Sequence, residues 1–316
     1  MVVDLGGTRF RVALVSAAGV IVRRVASPTL ADRGREDVLR RLVAAVLDLV
    51  ASIPREQIRG LGLGVPGPVD PVAGVVHSMP NLPGWGGSPI KAILEGQLGF
   101  RVAIGNDANL PALGEHRFGA GRGVDDLIYV TVSTGIGGGI IAAGKLLLGA
   151  HGLAGEIGHM LVERGGARCG CGNAGCLEAM ASGPAIARSA VRRIEAGERS
   201  LIDDLVDGDL GRVTAETVVS AALEKDSLAN EAIVEAARTL GAALASLVHL
   251  LDPRLIVIGG GVSNARDLLF RPLRQRLEEG LMPGFRGGVQ VVPAALGDDA
   301  GLMGAVALVS DQVSAR

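Results

Sequence analysis

Along the first hundred residues, short apolar runs alternate with amphipathic ones, the rhythm of strands and helices taken in turn. VVDLGG starts as a strand running into a glycine turn, and residues 11–15 and 20–25, on either side of SAAG, pattern as a hairpin. In REDVLRRLVAAVLDLV (35–50), Val38, Leu42, Val46 and Leu49 recur at helical spacing and predict one buried face. IRGLGLGV (58–65) predicts a strand ended by PGPVD. A loop holding PNLPGW follows, then a short helix near 89–98 and the strand RVAIGND at 101–107.

The pattern then starts again. DLIYVTVS (126–133) predicts a strand entering the turn TGIGGG, with IIAAGKLLLG as its hairpin partner. Helices are expected at 184–196, 214–224 and 228–250. LIVIGGGV (255–262) predicts a buried strand ending in glycines, followed by a helix near 265–279 and the strand VQVVP at 289–293. DDAGLMGAVALVS (298–310) predicts a closing helix with Asp298 or Asp299 as N-cap. Two glycine-turn hairpins, at DLGGT and at STGIGGG, thus each open an α/β segment, a duplication of architecture with no short-period repeat. No linker or low-complexity stretch intervenes, so two α/β domains meeting at a cleft are expected.

Composition agrees with two cores. At 316 residues the chain exceeds what one core usually serves, and 48% of it is hydrophobic. Only 2% is aromatic, so aliphatic side chains must fill the interior. The formal charge is −2, with 31 basic residues scattered among 33 acidic ones; no basic stripe and almost no stacking aromatic suggests nucleic acid. Uninterrupted apolar runs such as LASLVHLL (244–251) fall short of a bilayer span, and the start lacks a signal-peptide pattern. A soluble, cytoplasmic protein without membrane partners is the expectation.

The 48 glycines gather in motifs. In DLGGTR (4–9), Gly6 and Gly7 allow backbone N–H groups to approach an anion, and Thr8 adds a hydroxyl. Asp4 beside a polyphosphate would hold hydrated Mg²⁺. Thr134 and Gly135 of STGIGGG repeat the theme without an aspartate, and LIVIGGGV adds glycines at another strand's end. No GK[ST] follows either turn, so neither is a Walker A loop; ordinary tight turns are the alternative. Asn106 and Asp107 stand between a strand and a helix. Asp107 there either caps the helix or accepts a hydroxyl proton during phosphoryl transfer, with Asn106 orienting a hydroxyl.

All the cysteines lie in RCGCGNAGCLE (168–178), and three is an odd number for disulfides. With His159 of GEIGHM the spacing is H-x9-C-x-C-x4-C, giving His159, Cys169, Cys171 and Cys176 as a closed tetrahedral set for structural Zn²⁺. Such an ion would pin the segments that carry Glu156 and Glu178, whose carboxylates suit a polyol's hydroxyls.

DLGGTRFRVALV, PNLPGW, GNDANLPALGE, VSTGIGGG, GEIGHM and CGCGNAGCLE together resemble the ROK family of repressors, open reading frames and sugar kinases. The resemblance spans nearly the whole chain. It implies an actin-like, ribonuclease-H-like ATPase fold: a small N-terminal domain (1–107) closed by the C-terminal helix (298–316), and a larger domain (108–297) carrying zinc. It implies an ATP- and Mg²⁺-dependent hexose kinase, with glucose expected and, as alternatives, fructose, N-acetylmannosamine, N-acetylglucosamine or allose as the sugar, or a non-catalytic sugar sensor. Asp107 would be the base for the sugar 6-hydroxyl, with Asn106, Glu156, Glu178 and His159 on the sugar. The DLGGT and STG turns would face the ATP phosphates, and Gly259 and Gly260 the adenosine. Homodimers or homotetramers are implied as well. A repressor of the family would need a helix-turn-helix ahead of the first glycine turn, and only three residues precede Asp4 here.

Overall fold

The computed structural model describes residues 1–16, 18–79 and 82–314. Residue 17 of the SAAG turn, Pro80 and Asn81 of PNLPGW, and positions 315–316 of the expected closing helix lie outside the described residues.

β1 (Val2–Leu5), β2 (Arg9–Val15) and β3 (Ile21–Pro28) form the expected meander. α1 (Arg35–Val50) buries Val38, Leu42, Val46 and Leu49, the residues whose spacing marked its inner face. β4 (Leu61–Val65) follows, then a small hairpin that periodicity could not reveal, β5 (Val69–Asp70) with β6 (Val75–Val76). α2 (Ile90–Leu98), β7 (Val102–Asn106) and α3 (Asn109–Phe118) complete this stretch. The first sheet runs β3-β2-β1-β4-β7, antiparallel through the meander and parallel from β1 to β7.

The second sheet repeats the plan. β8 (Leu127–Val132), β9 (Ile136–Ala142) and β10 (Lys145–Leu146) lie at one side. Five helices follow: α4 (Leu177–Ala181), α5 (Gly183–Glu195), α6 (Leu201–Leu205), α7 (Ala215–Leu223) and α8 (Ser227–Leu251). Then come β11 (Leu255–Gly259), α9 (Asp267–Gly280), β12 (Gln290–Pro293) and α10 (Ala300–Ser314). The strand order is β10-β9-β8-β11-β12, with β8, β11 and β12 parallel.

By contacts the chain divides into one unit of Met1–Asp125, Gly139–Gly155 and Ala295–Arg316 and another of Asp126–Gly138 and Glu156–Ala294. In the first, β4 alternates between two faces as a strand must. Leu61, Leu63 and Val65 join Val38, Leu42 and Leu94 in one apolar cluster, while Gly62 lies against Ala305 of α10. α3 packs along α10, so this unit extends past residue 107. In the second unit α8 is the central helix, packed by α4, α5, α7 and α9.

Two expectations need correction. The partner of β8 begins at Ile136, inside the supposed turn, so Gly137, Gly138 and Gly139 are strand residues. A Cβ on Gly138 would stand 2.4 Å from the Ile157 side chain and 2.9 Å from the backbone oxygen of Tyr129. The second correction concerns α8. An 18-residue window of it has mean hydropathy 1.3, enough by length and composition for a membrane span, although 56% of that window is buried inside the structure. Counting uninterrupted runs missed it, because Glu and Arg on its outer side break the apolar series.

Candidate active site

Asn106 ends β7 and commits its amide to the backbone. Its Oδ1 accepts from the N–H groups of Ala108 (2.8 Å) and Asn109 (3.1 Å), and its Nδ2 donates to Gly67 O (2.9 Å). Asn106 therefore serves the N–H groups of the residue before α3 and of its first residue. One amide hydrogen of Asn106 is left for another partner. The Asp107 N–H donates to Val65 O at 2.8 Å, which joins the strand end of β7 to that of β4.

The first glycine turn connects β1 to β2. Gly6 donates to Arg9 O (3.0 Å), and Thr8 is exposed. Thr29, fully buried, braces the turn from behind: its hydroxyl donates to Gly6 O (2.6 Å) and its N–H to Thr8 O (2.8 Å). Asp4 and Arg11 are opposite one another in the β1–β2 register, and the guanidinium grips Oδ2 through Nε (3.1 Å) and Nη2 (2.5 Å). Arg11 Nη1 also donates to Asp298 O, and Asp299 directs its carboxylate at Arg24. Among the described residues, the hydrogen bonds to Asp4 fall on Oδ2. Oδ1 is thus the oxygen that a metal-bound water could use, and Asp4 fits a hydrated Mg²⁺ in that respect. The sequence-based reading missed Thr29 and Arg11; the cross-strand register of an Asp and an Arg was the available signal for the latter.

The second turn, Ser133–Gly135, connects β8 to β9. Ser133 donates to Gly135 O (2.8 Å), and the Ile136 N–H reaches Oε2 of Glu178 at 3.0 Å. A Cβ on Gly135 would stand 2.4 Å from that same oxygen, so the carboxylate occupies the space a side chain would need. Ser133 and Thr134 line a cavity of about 840 Å³ with Pro184, Val191, Val213 and Val262, all within the second unit. Gly259 and Gly260 close β11 against the Tyr129 ring and the Val132 backbone, while Gly261, next along the chain, lines the cavity.

The cysteines come together with the histidine. One donor atom from each of His159, Cys169, Cys171 and Cys176 lies within 4.8 Å of the others. Cys169 Sγ is 3.7 Å from His159 Nδ1, and Cys171 Sγ is 3.6 Å from Cys176 Sγ. Burial pushes the Cys176 thiol up to about 12 and raises that of Cys169, whereas the Asn173 N–H lowers that of Cys171. A divalent cation would favour all three thiolates, and a set of one imidazole and three sulfurs suits Zn²⁺. His159 Nε2 faces Glu156 at 3.9 Å, beyond hydrogen-bond length. Glu156 is exposed, but Glu178 is anchored: besides accepting from Ile136 it has Oε1 3.7 Å from Cys169 Sγ.

A buried carboxylate that the sequence did not single out lies in the first unit. Glu115 is fully buried and accepts three backbone N–H groups, from Ala120 (2.7 Å), Ala295 (3.2 Å) and Leu296 (2.8 Å). It ties the end of α3 to the segment leading into α10.

The duplicated sheets, each opened by a glycine-turn hairpin, define an actin-like ATPase fold. The sequence matches the ROK family over residues 1–312, and the chain belongs to that family. It is 39% identical to the glucokinase of Thermotoga maritima, across 98% of this chain and 97% of that protein. Among solved structures it resembles the ROK family glucokinase of Streptomyces griseus in complex with glucose and AMPPNP, at 37% identity, TM-score 0.84 and 98% coverage of each chain. It also resembles a ROK family transcriptional regulator homologous to the Escherichia coli MLC protein, at 29% identity and TM-score 0.88, covering 98% of this chain and 77% of that one.

Proposed function

We propose that this protein phosphorylates glucose at the 6-hydroxyl with ATP, using Asp107 as general base. Full-length similarity to glucokinases, one of them solved with sugar and nucleotide analogue, carries the reading. The position of Asp107 at the end of β7, beside an Asn106 that accepts the N–H groups of Ala108 and Asn109, supports the choice of base.

The chemistry is brief. Asp107 accepts the proton of the 6-hydroxyl as that oxygen attacks the γ-phosphorus, and the bond from γ-phosphorus to the bridging oxygen breaks to release ADP. Asn106 has one amide hydrogen to offer, and Glu156 and Glu178 accept from sugar hydroxyls. The 840 Å³ cavity beside Thr134 receives the adenosine. The DLGGT and STG turns present N–H groups to the phosphates. Bound through water to Asp4, Mg²⁺ would neutralise developing phosphate charge. The thiol set would hold Zn²⁺ with no open position, leaving it a structural part.

The test is a coupled assay of ATP with a panel of hexoses, on the wild type and on Asp107→Asn. Glucose should be the fastest substrate, and the variant should lose about 100- to 10,000-fold in kcat, the usual worth of a positioned base. A variant with wild-type turnover would remove Asp107 from the mechanism, and faster phosphorylation of another hexose would replace glucose.

A further inference from the structure

The short helix α4 and the first residue of α5 touch the two ends of the second glycine turn, and α4 starts next to a thiol of the cysteine–histidine set. Cys176, the residue before the helix, is a member of that set, and Leu177 N–H donates to Met160 O (2.8 Å), one residue past His159. Next along the chain, Glu178 accepts the Ile136 N–H (3.0 Å) with one oxygen, while the other lies 3.7 Å from Cys169 Sγ. Two residues past α4, the N–H of Gly183, which opens α5, donates to Ser133 O (2.8 Å). Ser133 and Ile136 flank Thr134 and Gly135, and Ser133, Thr134, Gly183 and Pro184 all line the large cavity. Ser133 is thus held by the start of α5 and Ile136 by α4, two helices joined through Ser182 alone.

We propose that α4 is a strut coupling the cysteine–histidine centre to the nucleotide. It holds the Ser133–Ile136 turn in the shape that receives the phosphate chain, with Glu178 as the positioning residue. This rests on the cavity being the ATP site. It gives the centre a task besides presenting carboxylates to a sugar, and it predicts an effect in the absence of sugar. Glu178 acts here through a hydrogen bond from the backbone, so its oxygen matters at Ile136 more than its charge does. Gly135 belongs to the same arrangement, because only a residue without Cβ lets the carboxylate approach the turn this closely.

The experiment is calorimetric titration of AMPPNP with magnesium into the full-length protein without sugar. Glu178→Ala should weaken binding about tenfold, the scale of one backbone donor left without its acceptor. Glu178→Gln keeps an acceptor for Ile136 and should stay within about threefold of wild type, for the same reason. Gly135→Ala, which touches no thiol, should weaken binding as Glu178→Ala does. Removing metal with a chelator should weaken it too, in protein whose circular dichroism is retained, and added zinc should restore it. The coupling is overturned if Glu178→Ala and Gly135→Ala bind AMPPNP as wild type does, or if Glu178→Gln is as weak as Glu178→Ala. Wild-type protein that binds no nucleotide would instead defeat the kinase reading.

Discussion

The two sheets share one strand plan, yet their opening glycine turns are held by different means. At DLGGT the support is local: Thr29 reaches Gly6 across 23 positions, and Arg11 grips Asp4 from the next strand. At STG it is imported: Glu178 reaches Ile136 across 42 positions, from a helix that begins in a cluster of thiols. A turn braced by its own meander needs only the strand register to form. One braced from a distant segment needs that segment ordered first, and a five-residue helix among glycines cannot order itself. A metal held by the cysteine–histidine centre would supply the missing order, so the second half should depend on metal and the first should not.

Metal removal is therefore the most drastic way to test the contrast. Elemental analysis should find one zinc per chain, and Cys176→Ser or exhaustive chelation should destabilise the second unit by several kcal/mol, since structural zinc contributes folding energy outright. In a domain of this size that lowers the melting temperature by about 10 °C or more. Hydrogen exchange resolved by peptide should quicken in Val162–Ser182 and at β9, with β1 and β2 unchanged. Equal quickening in both sheets would dissolve the contrast, as would a chelated protein that melts like the untreated one.

The first unit has its own distant fastening, and it is a carboxylate. Glu115 joins the end of α3 to residues 295–296 through three N–H groups in a fully buried setting. Glu115→Ala would strand those donors without solvent and should cost about 3 kcal/mol, whereas Glu115→Gln, which keeps one acceptor oxygen, should cost less. Urea unfolding with unchanged slope measures both. A loss under about 0.5 kcal/mol for the alanine variant, the scale of an ordinary surface change, would mean that water replaces the carboxylate.

Much of this was legible in the sequence because period and punctuation agree. Val38, Leu42, Val46 and Leu49 gave α1 its bounds and face, and the spacing from His159 to Cys176 anticipated four donors that the fold brings within 4.8 Å. What stayed hidden depends on tertiary contact. β5, β6 and α4 are too short for any period to show. Gly137–Gly139 read as turn residues, because glycine in a strand is explained only by what presses on it, here the Ile157 side chain at Gly138. Glu115 looked like one more polar residue near a helix end; two of its three partners lie some 180 positions away. Glu178 was singled out for a sugar, but nothing local announces that one of its oxygens belongs to Ile136.

The smallest effect probes the local brace itself. Asp4 and Arg11 have side chains 24% and 18% exposed, and the guanidinium meets the carboxylate through two nitrogens. Pairs so enclosed exceed the usual worth of surface ion pairs, so Arg11→Met should cost about 1–2 kcal/mol. Arg11→Lys should recover only part, because an ammonium cannot make the paired contact. A double-mutant cycle with Asp4→Asn, read by urea unfolding, isolates the interaction from the lost packing of the Arg11 stem. The coupling should shrink only modestly between low and high salt, since enclosed charges are screened less than exposed ones. A coupling near zero would leave Thr29 as the brace of this turn, and the meander would then hold its glycines by hydrogen bonds from one neutral residue.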